Sequence, residues 1–197
     1  MKHIIFLFLL IVVSCKKGEN RKEKMIPKDE TLDLKYEILN QLINRTEPSS
    51  DNYVFVTTLK RVYLNESDKF RPQGIIVKYD SIFLLEDSAY YKNQEKAVYD
   101  FRFVKKRINK NLEYTTDEEL HKSSENGNGD FWTDFRKKYG NKCIQRFSVP
   151  FFNKDKTMCV VQNSTSCGPL DGNGYTAIYK KVDGKWIEVR TFDHWIS

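Results

Sequence analysis

The chain has 197 residues, 40% of them apolar and 14% aromatic, with only 9 Gly and 5 Pro, which excludes a collagenous, low-complexity or wholly disordered protein and suits one globular domain. Its 33 Lys and Arg against 27 Asp and Glu give a net charge of +6, but the two signs are interspersed and no basic stripe for nucleic acid emerges. Thirteen Phe, eleven Tyr and three Trp supply a core, each burying about 150–250 Å².

Met1-Lys2-His3 leads into ten apolar residues, Ile4 to Val13. As a helix these rise about 15 Å, half the hydrocarbon thickness of a bilayer, so they suit a signal peptide and not a membrane span. Val12-Val13-Ser14-Cys15 then resembles the lipobox of bacterial lipoproteins. That resemblance implies a signal peptide over 1–14, cleavage between Ser14 and Cys15, and diacylglycerol on the Cys15 thiol. Two or three acyl chains, at about 0.8 kcal/mol per buried CH₂, make such an anchor effectively permanent. Position 16 is Lys and not the Asp that retains many lipoproteins at the inner membrane, so the resemblance favours the outer membrane. Residues 15–30 carry six basic and four acidic residues after the cysteine and almost nothing apolar, the composition of a flexible tether.

The folded domain is expected over 31–197. Leu34, Ile38, Leu39, Leu42 and Ile43 recur at helical spacing, and Arg45-Thr46-Glu47-Pro48 stops that helix. Tyr53 to Thr58 reads as a strand, with Ile75 to Val77 and Ser81 to Leu85 as further extended segments. From Glu86 to Val98 the chain is helix-compatible, with Asp87 positioned to cap the first turn. Phe101 and Phe103 alternate with polar residues as in a half-buried strand. Ser123 to Gly129 reads as a loop. Phe131, Trp132, Phe135 and Tyr139 then form an aromatic amphipathic helix, with Asp130 at its positive end and Gly140 to end it. Strands follow at Gln145–Phe152, Met158–Asn163, Tyr175–Val182 and Trp186–Phe192. Asn153 to Lys156 joins the first two, and Asp183-Gly184 carries the type I′ hairpin signature. The reading is an α+β domain whose C-terminal antiparallel meander packs on the aromatic helix. That element order is similar to the cone-shaped folds of the nuclear transport factor 2 superfamily.

Cys143, Cys159 and Cys167 allow one bridge in an exported protein. Cys159 sits in an apolar strand pattern, which favours Cys143–Cys167, with Cys143–Cys159 as the alternative. No zinc spacing exists among them. Glu118 and His121 at i and i+3, and Cys167 with His194, are the only pairings that suggest metal or nucleophilic chemistry, and neither makes a motif; no metal or cofactor is expected. The run from Cys167 to Gly174 lacks the features of a phosphate loop or a calcium loop. It is expected to be a turning connection whose glycines serve positive-φ positions, and Gly168, Leu170, Asp171 and Asn173 are its candidate recognition residues. Lys105-Lys106-Arg107 reads as a solvated strand end. The Cys-Gly-x-Leu-x-Gly-x-Gly run, with the Gly-Lys-Trp hairpin and terminal Trp-Ile-Ser, resembles the C-terminal half of small bacterial envelope lipoproteins, a likeness that brings no activity. Asp171 stands where those proteins often have a second Cys, which removes the local partner of Cys167.

The expected function is a lipid-anchored envelope protein that binds a protein or glycan partner, not nucleic acid, through shape and aromatic contacts. An immunity or inhibitor protein is one alternative, and a small hydrolase or isomerase with a carboxylate-lined pocket is another.

Overall fold

The computed structural model describes residues 29–46, 49–64, 74–125 and 130–197. The lipobox residues Ser14 and Cys15 and most of the tether lie outside them. Among the described residues, four helices and nine strands form one α+β body around an open, seven-stranded mixed sheet.

Helix α1 (Leu32–Asn44) follows the apolar stripe and buries Tyr36, Ile38, Leu39, Leu42 and Ile43. It is tied down before its first turn. Asp29 accepts from the Thr31 N–H and hydroxyl at 2.9 and 2.7 Å and from the buried Lys35 ammonium at 2.6 Å, and Glu30 accepts from Lys156. Asp29 and Glu30, which composition assigns to the tether, are therefore docked on the body.

β1 (Tyr53–Val56) is buried on both faces, as its unbroken apolar run requires. It pairs in parallel with β4 (Glu113–Thr115) on one side and β5 (Cys143–Phe147) on the other. From β5 the sheet continues antiparallel through β7 (Met158–Gly168), β8 (Asp171–Val182) and β9 (Lys185–Ile196), with β6 (Phe151–Phe152) also on β7. The expected strand over 145–152 is split because Pro150 has no N–H to give a ladder. At the β8–β9 turn, Asp183 and Gly184 take φ of 48° and 75°, the values a type I′ turn needs.

Each face of the sheet has its own cover. On one face α1 packs over Phe55, Phe147, Phe152, Cys159, Val161, Ala177, Tyr179 and Trp186. On the other, α3 (Asp117–Glu125) and α4 (Phe131–Tyr139) lay Leu120, Trp132, Phe135 and Tyr139 on Val54, Val56 and Ile144. The aromatic helix thus meets the meander at its first strand, and α1 covers most of the rest. The remaining cover is α2 (Ser88–Tyr99) with a small parallel pair, β2 (Arg61–Leu64) and β3 (Gly74–Val77), packed around Phe83, Tyr91, Phe151 and Val160. No helix among the described residues is long and apolar enough to cross a membrane.

Two glutamines fasten helices to strands. Gln94 on α2 donates to the Phe152 carbonyl at 2.8 Å and accepts from its N–H at 2.7 Å. Gln41 on α1 does the same for Trp186, at 2.5 and 2.9 Å. Each side-chain amide substitutes for a neighbouring strand's peptide group.

Several local expectations are corrected. Residues 81–85 are not extended: the Asp80 carboxylate accepts from the Ile82 and Phe83 N–H groups at 2.8 and 2.9 Å and folds the chain into a turn. Phe101 and Phe103 flank no ladder, because the Val104 N–H donates to the Tyr36 hydroxyl at 2.7 Å, where a strand partner would be. Asp87 precedes α2 but makes no capping bond, since its carboxylate takes Lys154 at 2.6 Å. Helix α3 runs through residues 123–125, the first part of the expected loop, and 126–129 lie outside the described residues. By contrast Asp130 caps α4 through the Trp132 N–H, and Gly140 ends it at φ 71°. Residues 105–107 form a 3₁₀ turn in which Arg107 bonds Asp33 at 2.5 Å and covers the Tyr36 ring at 4.1 Å.

Candidate functional site

The run from Cys167 to Gly174 folds differently from its composition. β7 and β8 pair through it as far as Gly168 and Asp171, so the connection is a two-residue turn at Pro169 and Leu170. None of its three glycines has positive φ. Gly174 and Gly172 are bare because Trp195 lies on them: a Cβ on Gly174 would overlap the indole, and one on Gly172 would sit 2.9 Å from Ser197 Oγ and 3.2 Å from Trp195. Ser197 then closes the end of the sheet, its N–H donating to the Gly172 carbonyl at 2.9 Å and its carbonyl accepting from the Gly172 N–H at 3.3 Å. Gly168 and Asp171 flank the turn, Leu170 at its tip is 85% exposed, and Asn173 lies two pairs further down β8, opposite Thr165.

A disulfide joins Cys143 on β5 to Cys167 on β7, beside the Ile144–Ser166 pair. Cys167 is therefore not a free nucleophile, and His194 stacks on Tyr175 with ring centroids 5.7 Å apart. Cys159 is a buried free thiol, pushed well above its ordinary pKa by burial and by the nearby Glu37 charge. Glu118 bonds Lys122 at 2.8 Å, and no cluster of three metal-ligating side chains exists among the described residues.

Beside the disulfide, past the C-terminal end of α1, a cavity of about 420 Å³ opens on the α1 face of the meander. Strand alternation builds it: Asn173, Tyr175 and Tyr179 share one face of β8, and Gln145, Asn163 and Thr165 approach from β5 and β7. Its floor is a polar network in a buried setting. The 1% exposed Gln145 donates to the Asn163 side-chain Oδ1 and accepts from the Thr165 hydroxyl at 2.7 Å. Neither the Asn163 Nδ2 nor the Asn173 side chain is bonded to a described residue, so both can serve a ligand. Tyr179 donates to Glu188 at 3.3 Å. Burial, reinforced by Tyr175 and Glu188, pushes the Tyr179 phenol far above the ordinary tyrosine range, so it stays protonated. Arg45 and Thr46 at the end of α1 complete the rim.

Apart from Leu42 and the Cys167 disulfide, this lining is amide, hydroxyl and phenol, with one carboxylate and one guanidinium. A cavity of this size with a few convergent polar groups is the geometry of a small-ligand site. Two carboxylates, Asp80 and Asp193, line a different cavity, where Asp80 is engaged by the Ile82 and Phe83 N–H groups and by Arg190 at 3.6 Å. Sequence reasoning found Cys167 and Asn173 of the amide-lined cavity. It missed Gln145, Asn163, Thr165, Tyr175, Tyr179 and Glu188, whose common face appears only once the strand register is known. Compared with known proteins, the chain matches no family model, no curated protein and no solved structure.

Proposed function

We propose that the protein is a lipid-anchored envelope protein whose amide-lined cavity binds a hydroxyl-rich ligand, a segment of envelope glycan. The observation that carries this reading is the lining itself. Sugar hydroxyls donate and accept in about equal measure, and so do Gln, Asn, Thr and Tyr. The ring of Tyr175, already in an aromatic stack with His194, offers a face for the C–H side of a pyranose. The membrane attachment rests on Val12-Val13-Ser14-Cys15, and Lys16 favours the outer membrane. From Cys15 to Asp29 the chain can span at most about 50 Å, which keeps the cavity near the membrane that holds it.

Two measurements test the reading. Cys15→Ser is expected to release the protein from the membrane fraction and abolish lipoprotein processing; retention with normal processing contradicts the anchor. Soluble glycan fragments are expected to raise the melting temperature of the detergent-solubilised full chain saturably, and Asn163→Leu to remove that rise. An equal rise in the variant contradicts the cavity.

A further inference from the structure

A third cavity, of about 390 Å³, lies where β1 runs out toward β2 and α2 ends. Thr57, Thr58, Arg61, Tyr99, Phe101 and Arg102 are among its lining residues, and no Asp or Glu is. The amide-lined cavity has Glu188, and the cavity under β9 has Asp80 and Asp193.

Both arginines are held in place, and neither is ion-paired with a described residue. The Arg61 guanidinium stacks on the Tyr99 ring at 3.9 Å, and no ion pair or hydrogen bond engages it among the described residues. Arg102 donates through Nη1 to the carbonyls of Phe101 and Tyr99 at 3.0 and 3.4 Å, which offsets the negative end of α2 and leaves its Nη2 and Nε groups unengaged by any described residue. Most other cations near acids are paired: Arg107 with Asp33, Arg146 with Asp117, Lys142 with Glu113, Lys154 with Asp87 and Lys181 with Glu37. Thr57 spends its hydroxyl proton on the Thr115 carbonyl at 3.1 Å. Thr58 accepts from the Asp117 N–H at 3.5 Å, so its own O–H remains to donate.

We infer that this cavity is an anion site for a phosphoryl group, bound by the Arg61 and Arg102 guanidinia and the Thr58 hydroxyl. The Phe101 and Phe103 side chains beside them take the ligand's apolar part. Guanidinium forks match tetrahedral oxyanions, and forks already oriented lose less freedom on binding. At a membrane surface the phosphoryl group has two sources, a soluble phosphate ester and a phospholipid headgroup. The inference stands independently of the glycan reading, since it uses a different cavity.

The test is a thermal-shift titration of the detergent-solubilised full chain with inorganic phosphate, against sodium chloride at equal ionic strength. Phosphate is expected to stabilise saturably beyond chloride, and Arg61→Gln to weaken its apparent affinity by about tenfold, the loss of one charge-assisted contact. Arg61 is the first choice because it bonds no backbone group, so its replacement leaves the end of α2 intact; Arg61→Lys, which keeps the charge without the fork, is expected to fall between. A short-chain phosphatidylglycerol added below its micelle concentration then separates the sources: displacement of phosphate assigns a headgroup, and an unchanged curve a soluble ester. Chloride reproducing the shift, or Arg61→Gln leaving the phosphate midpoint unchanged, overturns the site.

Discussion

Replacing Gln94 by methionine keeps the side chain's length and apolar stem but removes both bonds to Phe152. The Phe152 peptide groups are inside the protein, with Phe152 fully buried and Gln94 only 5% exposed, so water cannot replace the lost partners. Each stranded buried group costs about 1–3 kcal/mol, and the thioether recovers part of that through apolar burial, for a net loss of about 3 kcal/mol. With an m-value near 2 kcal/mol/M, the urea midpoint followed by tryptophan fluorescence falls by about 1.5 M at constant slope. Gln41→Met is the internal control. It removes the same pair of bonds from Trp186, but Gln41 is only half-buried and water can re-enter, so the loss is about 1 kcal/mol. Equal midpoints for the two variants, or a Gln94→Met shift below about 0.3 M, refute the view that buried glutamines act as surrogate strands.

Gly174→Ala is expected to lower stability by about 1–3 kcal/mol, because its Cβ would collide with the Trp195 indole, and Trp195→Leu in the same chain should relieve most of that loss; an unchanged melting temperature for Gly174→Ala removes the close-approach account of that glycine. Replacing Cys143 and Cys167 by Ala opens a 24-residue separation and should cost about 3 kcal/mol in urea denaturation, with no change in midpoint counting against the bridge as a stabilising element. Burial would raise the Asp29 carboxyl, but Lys35 and Thr31 together hold it below its ordinary 3.8. Its depressed pKa contributes stability above the unfolded value and loses it as pH falls through the folded one. Asp29→Asn should therefore be destabilised at neutral pH, and the gap from the wild type should narrow below about pH 4; a gap that widens in acid contradicts the pairing.

Elements whose signals are local were legible in the sequence. Asp130, the aromatic stripe and Gly140 define α4 from its nine residues and the two that flank them, and Asp183-Gly184 defines its hairpin. What escaped depended on partners remote in the chain. β4 is three residues long and exists because β1 offers it an edge. The parallel pairing of β1 with β5 leaves no mark in either strand. Glycines 172 and 174 looked like loop residues because the pressure that selects them, Trp195, comes from the end of the chain. The Phe101–Phe103 alternation suggested a strand, yet the backbone bonds there go to a tyrosine on α1. Gln41 and Gln94 resemble solvated helix residues until the strand each one serves is known. The cavity was the hardest to see, since one face of the meander supplies it from β5, β7, β8 and β9 and the end of α1 closes it.

The most direct test of the glycan reading is photocross-linking in intact cells from a photoreactive residue at position 173, on the cavity rim, compared with one at Lys180 on the opposite face of β8. A glycan adduct at 173 that collapses on digestion with a glycan hydrolase, and is missing at 180, is the predicted result. The same adducts from both positions, or from 173 only abundant envelope proteins, would contradict it.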